Sequence, residues 1–288
     1  MISRFMSFPA KSMKSFAQRF LDLAESRSPF CLGIDPTPQL LAAWNLPHSA
    51  EGLAQMCETV ATAAEERLAI VKPQLAFFER FGSHGIQVLE RLIEAFHERG
   101  TLVLVDGKRG DIGSTVEAYA QAYLGPASAF RADAMTAHAY LGFGSLQPVF
   151  THAVNVGAGV FVVVRSSNKE GVALQTAVLS NDGRTVADSL ADMITEFNEQ
   201  HSEGEVGPIG AVMGATIENL LPTLDRLPRS LILAPGIGHQ GATFEDLRNR
   251  FERHAARAIP SSSRAVLDRG PSVEQLRDEI TKQCEASR

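Results

Sequence analysis

The sharpest chemical signal lies at residues 106–111, which read Asp-Gly-Lys-Arg-Gly-Asp directly after the apolar run 102–105. Side chains two residues apart on a strand share a face, so we expect Asp106 and Lys108 to point the same way. Asp111 is expected at the start of a helix, where the dipole favours its carboxylate and it could act as a cap. In isolation this pattern is typical of a structural ion pair with a helix cap, but charged residues at neighbouring strand ends favour a catalytic site.

Two further ionisable residues follow apolar runs in the same way. Asp35 comes after run 30–34, and Lys72 comes after run 68–71. If the runs are neighbouring parallel strands, their carboxyl ends meet at one edge, and Asp35, Lys72, Asp106 and Lys108 gather there.

The elements that must position these residues repeat along the chain. Eight apolar runs predict strands at 30–34, 68–71, 101–105, 132–136, 159–164, 209–212, 230–233 and 265–267. Each is followed by a predicted helix, at 51–67, 83–99, 113–124, 145–154, 185–200, 216–224, 243–257 and 272–284. The central runs are apolar on both faces, which is typical of a parallel sheet covered on both sides.

Eight strand–helix units predict an α/β fold, a closed (β/α)8 TIM barrel, with an extra helix at about residues 10–26 before the first strand. A doubly wound open sheet is the alternative, although no Gly-x-Gly-x-x-Gly turn follows the first strand. No linker or repeat divides the chain. We therefore expect one domain over residues 1–288, with an N-terminal extension at 1–28, the barrel strands within 29–268 and a final helix at 271–285.

Composition narrows the class of protein and its location. The 288 residues are 44% hydrophobic and carry a net charge of −6, with no basic face for nucleic acid and no apolar run long enough to span a membrane. Cys31, Cys57 and Cys284 are too scattered for a disulfide scaffold, so we expect buried thiols in a reducing, cytoplasmic setting. The basic, acid-free residues 1–21 fit either a transit peptide or a leader before the first helix.

Six ordered motifs together resemble the orotidine 5′-monophosphate decarboxylase family, most closely its type 2 branch. The stretch 106–115 resembles the family's Asp-x-Lys-x-x-Asp signature. The other five matches are at residues 32–36, 71–73, 133–142, 165–168 and, for the ends of strands seven and eight, 234–241 with 263–264. The residues after Asn168 and His138 depart from the family pattern, which affects loops and not the charged set.

The resemblance implies a carboxy-lyase that converts orotidine 5′-phosphate to uridine 5′-phosphate and CO2 in pyrimidine synthesis, with no metal and no cofactor. Lys108 would then stabilise and protonate the C6 carbanion, and Asp106 would lie beside the substrate carboxylate. Lys72 and Asp111 would complete an alternating Lys-Asp-Lys-Asp array. The family pattern supplies Asp111 and Thr115 from a partner subunit, which implies a homodimer.

The resemblance also assigns the substrate-binding residues. Asp35 would hold a ribose hydroxyl, and Ser167 would contact the pyrimidine, although a generic serine at a strand end fits equally well. For the phosphate, glycine amides, a helix start after Gly241 and the Arg264 guanidinium are suitable groups. The predicted phosphate-end residues are Pro235, Gly236, Gly238, Gln240, Gly241 and Arg264.

Two other functions remain open at this point. One is a related barrel decarboxylase that acts on a sugar-phosphate keto acid and needs Mg²⁺ to hold an enediolate. The other is a nucleotide-phosphate sensor that has kept the barrel and lost the chemistry. The complete charged set disfavours a sensor, which has no use for a proton-donating lysine.

Overall fold

A computed structural model describes residues 14–202 and 204–288. Eight parallel strands form a closed barrel in sequence order, and β1 pairs with β8. The strands are β1 Cys31–Ile34, β2 Ile70–Pro73, β3 Leu102–Arg109, β4 Ala134–Ala137, β5 Gly159–Arg165, β6 Ile209–Met213, β7 Ile232–Pro235 and β8 Ala258–Ser262. The predicted TIM barrel is confirmed, and the open sheet is excluded.

Helices cover the outside of the barrel and fill the connections. They are α1 Phe16–Ser26, α2 Pro38–Ala43, α3 Ala50–Ala64, α4 Leu75–Glu79, α5 Gly82–Glu98, α6 Gly113–Tyr123, α7 Gln147–Val156, α8 Val172–Gln175, α9 Val186–His201, α10 Leu221–Leu224, α11 Phe244–Phe251, α12 Arg264–Leu267 and α13 Val273–Ala286. Three 3-10 segments lie at Phe143–Leu146, Lys169–Gly171 and Glu252–Arg257. One core cluster lies between strands and helices, and a second fills the barrel.

The extra N-terminal helix closes the amino end of the barrel. Ser15 caps α1 by accepting a hydrogen bond from the Gln18 amide. Phe16 and Phe20 are buried, and the Phe16 ring contacts Phe161 of β5 edge-on at 5.8 Å. The prediction of this helix is confirmed from residue 16 onward; its first predicted residues, 10–13, and most of the basic leader lie outside the described residues.

The predicted position of the eighth strand, 265–267, is wrong. The strand is Ala258–Ser262, and the predicted residues belong to α12, where Val266 and Leu267 face the core. Pro260 and the serines after it conceal this strand, because proline and polar residues are poor strand signals.

Two predicted helices are also shorter than expected. The helix predicted at 243–257 ends at Phe251 and continues as a 3-10 segment, and the one predicted at 216–224 is reduced to Leu221–Leu224.

All three cysteines are buried and unpaired, as the sequence predicted. Burial raises the pKa of the Cys31 thiol to about 12, so this group stays neutral. None of the described helices combines the length and the apolar character needed to cross a bilayer.

Candidate active site

The end of β3 is irregular, and this irregularity builds the centre of the site. Val105 pairs with Met135, but the next pair is Arg109 with Ala137. Between these two pairs β3 advances by four residues while β4 advances by two. Lys108 lies in this segment with φ at +44°. Such a backbone conformation costs on the order of 1–3 kcal/mol for a residue other than glycine and persists only where its surroundings enforce it. Regular alternation therefore does not explain how Asp106 and Lys108 meet.

Asp106 is the hub of a compact charge cluster. Its Oδ2 accepts a hydrogen bond from Lys72 Nζ at 2.8 Å, and its Oδ1 accepts one from Lys108 Nζ at 2.7 Å. The two lysines differ in exposure, because the Lys72 side chain is 8% exposed and that of Lys108 is 49% exposed. Lys72 is thus fixed within the protein, whereas Lys108 presents its ammonium group to the open mouth of the barrel.

Mutual pairing keeps these groups ionised. Burial alone would raise the pKa of Asp106, but Lys72 and Lys108 outweigh burial and hold it well below its usual range. Burial would lower the pKa of Lys72, but Asp106 and Asp35 outweigh it and hold that pKa above its usual range. Opposite charges at close range stabilise the charged forms on both sides.

Two polar residues that the sequence analysis missed complete the surroundings of Asp106. Thr136 Oγ1 donates to Asp106 Oδ1 at 2.8 Å, and Gln74 Nε2 donates to Oδ2 at 3.3 Å. Thr136 lies in β4, and Gln74 directly follows β2. Their position near the carboxyl ends of strands is the signal that could have identified them.

A cavity lies beside the cluster and reaches the ends of β7 and β8. Its lining residues are Gly33, Asp35, Lys72, Pro235, Gly236, Ile237, His239, Gln240, Ser261, Ser262, Ser263 and Arg264. Asp35 Oδ1 and the hydroxyls of Ser262 and Ser263 are buried, and no described residue hydrogen-bonds to them. Buried polar atoms of this kind call for a polar partner, so the wall of the cavity suits a hydrophilic ligand. His239 and the three serines were not among the predicted site residues.

The glycine-rich turn after β7 is held by its own backbone hydrogen bonds. Gly236, Gly238 and Gly241 all have positive φ, at +115°, +77° and +95°. The Gly238 amide donates to Ala242 O at 2.8 Å, and the Gly241 amide donates to Gly238 O at 2.8 Å. The turn itself thus uses the Gly238 and Gly241 amides as donors, and the assignment of this turn to a phosphate stays a prediction.

The helix expected after Gly241 is present but begins slightly later. α11 starts at Phe244 behind the N-cap Thr243, and a capping box with Asp246 holds its first turn. The Asp246 carboxylate already accepts from the Thr243 amide and hydroxyl, at 2.8 and 2.7 Å. Arg264 is exposed and lines the cavity.

Asp111 is separate from the charge cluster of its own chain. Its Oδ1 accepts from the Ile112 amide at 2.8 Å, and within residues 14–202 and 204–288 it forms no ion pair. The expected helix cap is also wrong, because Ile112 is the N-cap of α6 and no side chain caps it. Thr115 is exposed in the first turn of α6.

Large apolar side chains are exposed next to Asp111 and in the loop after β4. Ile112 is 61% exposed in the same loop, and Tyr140 and Leu141, in the loop after β4, are 74% and 52% exposed. One chain therefore brings together three members of the predicted array and leaves Asp111 on a surface with exposed apolar groups.

Ser167 does not line the cavity that contains Asp35. It packs against the end of β6, where a Cβ added to Gly214 would come within 2.9 Å of Ser167 Cβ. Its neighbour Ser166 is tied to Gln175 of α8 through two hydrogen bonds, at 3.0 and 2.7 Å. Ser167 is thus at the predicted strand end, but the structure does not bring it to the charge cluster.

Comparison with known proteins identifies relatives of this chain. Residues 28–278 match the model of the "Orotidine 5'-phosphate decarboxylase / HUMPS family". An orotidine 5′-phosphate decarboxylase from Myxococcus xanthus is 50% identical over 274 residues, covering 95% of each chain. One from Salinispora tropica is 46% identical over 278 residues, covering 96% of this chain and 99% of its own.

Solved structures agree in fold. The crystal structure of a Streptomyces avermitilis protein assigned as an orotidine 5′-phosphate decarboxylase superposes with a TM-score of 0.91 at 42% identity, covering 98% of this chain and 97% of the other. The OMP decarboxylase of Leishmania donovani superposes with a TM-score of 0.77 at 28% identity, covering 95% and 97%.

Proposed function

The chain belongs to the orotidine 5′-phosphate decarboxylase / HUMPS family, and from this premise we propose that it converts orotidine 5′-phosphate to uridine 5′-phosphate and CO2 in pyrimidine synthesis. The observation that carries the proposal is the Lys72–Asp106–Lys108 cluster, which adjoins, through Lys72, a polar cavity at the carboxyl end of the barrel. The three buried, unpaired thiols are in keeping with the cytoplasmic location predicted from the sequence.

In the proposed reaction the bond between C6 of the pyrimidine and its carboxylate breaks. CO2 leaves, and the bonding electron pair stays on C6. The Lys108 ammonium group stabilises this negative charge and then transfers a proton to C6, which gives uridine 5′-phosphate; solvent returns a proton to Lys108. The exposure of Lys108 supports this role, because the amine must reach both substrate and water.

Asp106 and Lys72 act by fixing charge before substrate arrives. Asp106 holds the Lys108 ammonium group and would lie beside the substrate carboxylate. Lys72 balances the buried Asp106, so the carboxylate stays ionised. Groups that are already oriented need no reorganisation during bond cleavage, which is the main source of electrostatic catalysis.

The cavity supplies binding groups for the rest of the nucleotide. We assign Asp35 to a ribose hydroxyl, which would satisfy its buried oxygen. We assign Arg264 to the phosphate and Gln240 to a bridge between phosphate and base, because both line the cavity beyond the ends of β7 and β8. Pro235, Gly236, Gly238 and Gly241 shape the turn around it, and Ser167 is assigned to the pyrimidine edge.

A homodimer would complete the array. Asp111 is separate from its own chain's cluster and lies beside exposed Ile112. We propose that this surface packs on a second copy, so that Asp111 and Thr115 of one protomer enter the site of its partner. Burial of exposed apolar side chains would stabilise such a pair.

A spectrophotometric assay of orotidylate loss in EDTA tests the function. We expect full turnover with the chelator present. Loss of activity in EDTA and recovery with Mg²⁺ would support the sugar-phosphate type of decarboxylase. Binding of uridine 5′-phosphate without turnover of orotidylate would support a sensor.

A further inference from the structure

Thr136 contacts both the backbone of Lys108 and the carboxylate that holds its ammonium group. Its Oγ1 accepts from the Lys108 amide at 2.9 Å and donates to Asp106 Oδ1 at 2.8 Å. The register shift between β3 and β4 explains the first bond. Because the regular ladder is interrupted there, a side-chain hydroxyl takes the place of a backbone carbonyl as the acceptor for this amide.

The directions of these two bonds follow from the chemistry of the groups. A backbone amide can only donate, so the threonine oxygen must accept from Lys108. Asp106 is ionised, and an ionised carboxylate can only accept, so the single hydroxyl proton must point to Oδ1. Thr136 is 1% exposed, so water cannot readily replace either partner.

This bridge holds an unfavourable conformation in place. Lys108 has φ at +44°, in the left-handed region, and its chain must turn back toward the Asp106 carboxylate. The amide bond to Thr136 fixes the start of the lysine side chain, and Asp106 Oδ1, which Thr136 also contacts, fixes its end at 2.7 Å.

We infer that Thr136 is a positioning residue that sets where the Lys108 ammonium group stands relative to the reacting carbon. The inference rests on the proposed decarboxylase function. Thr136 acts through Asp106 and Lys108, so its loss should lower kcat and leave nucleotide binding nearly intact. A displacement of about 1 Å in a catalytic group can reduce the rate about 100-fold.

The test compares Thr136→Val, which keeps the shape and removes the hydroxyl, with Thr136→Ser, which keeps the hydroxyl. Thr101→Val is the matched control. Thr101 is also 1% exposed, and its Oγ1 likewise accepts one hydrogen bond, from Arg27, and donates one, to Leu68 O, but at the opposite end of β3. kcat and KM for orotidine 5′-phosphate, affinity for uridine 5′-phosphate and Tm are measured for each.

We expect Thr136→Val to lower kcat about 10- to 100-fold with KM and uridine 5′-phosphate affinity within about threefold of wild type. Thr136→Ser should recover most of kcat, and Thr101→Val should keep kcat even if Tm falls. If Thr136→Val does not fold, Thr136→Cys, with its weak donor, should show the same selective loss of kcat.

Three results would overturn the inference. They are a folded Thr136→Val protein with kcat within twofold of wild type, equal losses in the Val and Ser variants, and an equal loss of kcat in Thr101→Val. A wild-type protein that does not decarboxylate orotidylate at all would instead refute the proposed function, so the two failures are distinguishable.

Discussion

Two buried aspartates at opposite ends of the barrel have similar environments and different consequences. Asp106 ends the regular part of β3 at the carboxyl end, and Asp133 immediately precedes β4 at the amino end. Both side chains are about nine-tenths buried, at 7% and 11% exposed. In both, burial opposes ionisation, but basic partners outweigh it and hold the pKa below its usual range.

The partners of the two aspartates have different roles. Asp133 pairs with Arg19 of α1, contacts His97 Nε2 of α5 at 3.0 Å and accepts from the Val103 amide at 2.9 Å. These contacts join α1, α5 and β3 within one chain. The adjoining cavity, about 650 Å³ in volume, is larger than the one beside Asp106, but Asp133 and Arg19 on its wall are engaged with each other.

Asp106 instead holds a half-exposed lysine, and the cavity beside its other partner, Lys72, contains buried polar atoms that no described residue satisfies. The comparison shows that burial and a lowered pKa do not identify a catalytic carboxylate. What distinguishes the two is whether a charged partner is left free to meet a ligand.

The largest effect should come from Lys108→Ala, which removes the proton donor. We expect kcat to fall at least about 1000-fold with little change in Tm, because the interaction acts on the transition state. Stopped turnover and retained binding of uridine 5′-phosphate are the readouts. Lys282→Ala, at a lysine 71% exposed on α13, is the control. Near-normal turnover by Lys108→Ala would show that the Asp106 cluster is not needed for catalysis, and its functional contrast with Asp133 would be lost.

Mixing Lys72→Ala and Asp111→Ala chains tests whether the Asp106 end is completed by a second copy. Each variant alone should be almost inactive. Random exchange should restore about a quarter of wild-type activity, because half of the dimers are mixed and each has one intact site. Activity of the mixture is measured beside mass-spectrometric proof of exchange. No recovery in exchanged dimers would mean that Asp111 acts within its own chain.

Asp133→Asn should lower stability and leave turnover unchanged, whereas Lys108→Ala should lower turnover and leave stability nearly unchanged. The Asp133→Asn change breaks an ion pair whose carboxylate is buried, so we expect the free energy of unfolding to fall by about 3 kcal/mol, with kcat unchanged below the melting range. Urea unfolding and the decarboxylation assay measure the two effects. Asp182→Asn, at a partly exposed surface carboxylate paired with Arg184, is the control and should change stability little. A kcat loss in folded Asp133→Asn would end the distinction between the two aspartates.

The smallest effect concerns pH. The Asp133 pKa is lower in the folded chain than its ordinary value, so its contribution is complete above that value and declines as pH falls toward the folded pKa. The stability difference between wild type and Asp133→Asn should therefore shrink between about pH 5 and pH 3. Urea unfolding across this range provides the measurement. A difference that is constant or grows toward low pH would contradict the assigned ionisation.

Features that depend on local sequence patterns could be predicted from the sequence. Apolar runs separated by amphipathic stretches predicted seven of the eight strands in nearly correct positions and the barrel itself. Lys72, Asp106 and Lys108 could be identified because strand ends converge in a parallel barrel. The eighth strand was misplaced because Pro260 and its polar neighbours lack that pattern.

The details of the site could be predicted less well from the sequence. Thr136 and Gln74 could have been noted for their position near strand ends, but their hydrogen bonds to Asp106 join segments 30 and 32 residues apart, which no local pattern shows. The glycines after β7 predicted a turn, but the hydrogen bonds that the Gly238 and Gly241 amides form within it could not be read from the sequence. Asp111 could be recognised in the motif, yet its distance from the cluster depends on the path of the loop.

By itself, the sequence determined the barrel and the chemical types gathered at its carboxyl end, because hydrophobic periodicity and strand order are properties of the linear chain. Only the tertiary structure decided which buried aspartate faces an open site and which joins helices to the barrel. It also decided that Lys108 leaves regular strand geometry. Both outcomes depend on contacts between distant segments, and such contacts form only when the strands close on one another.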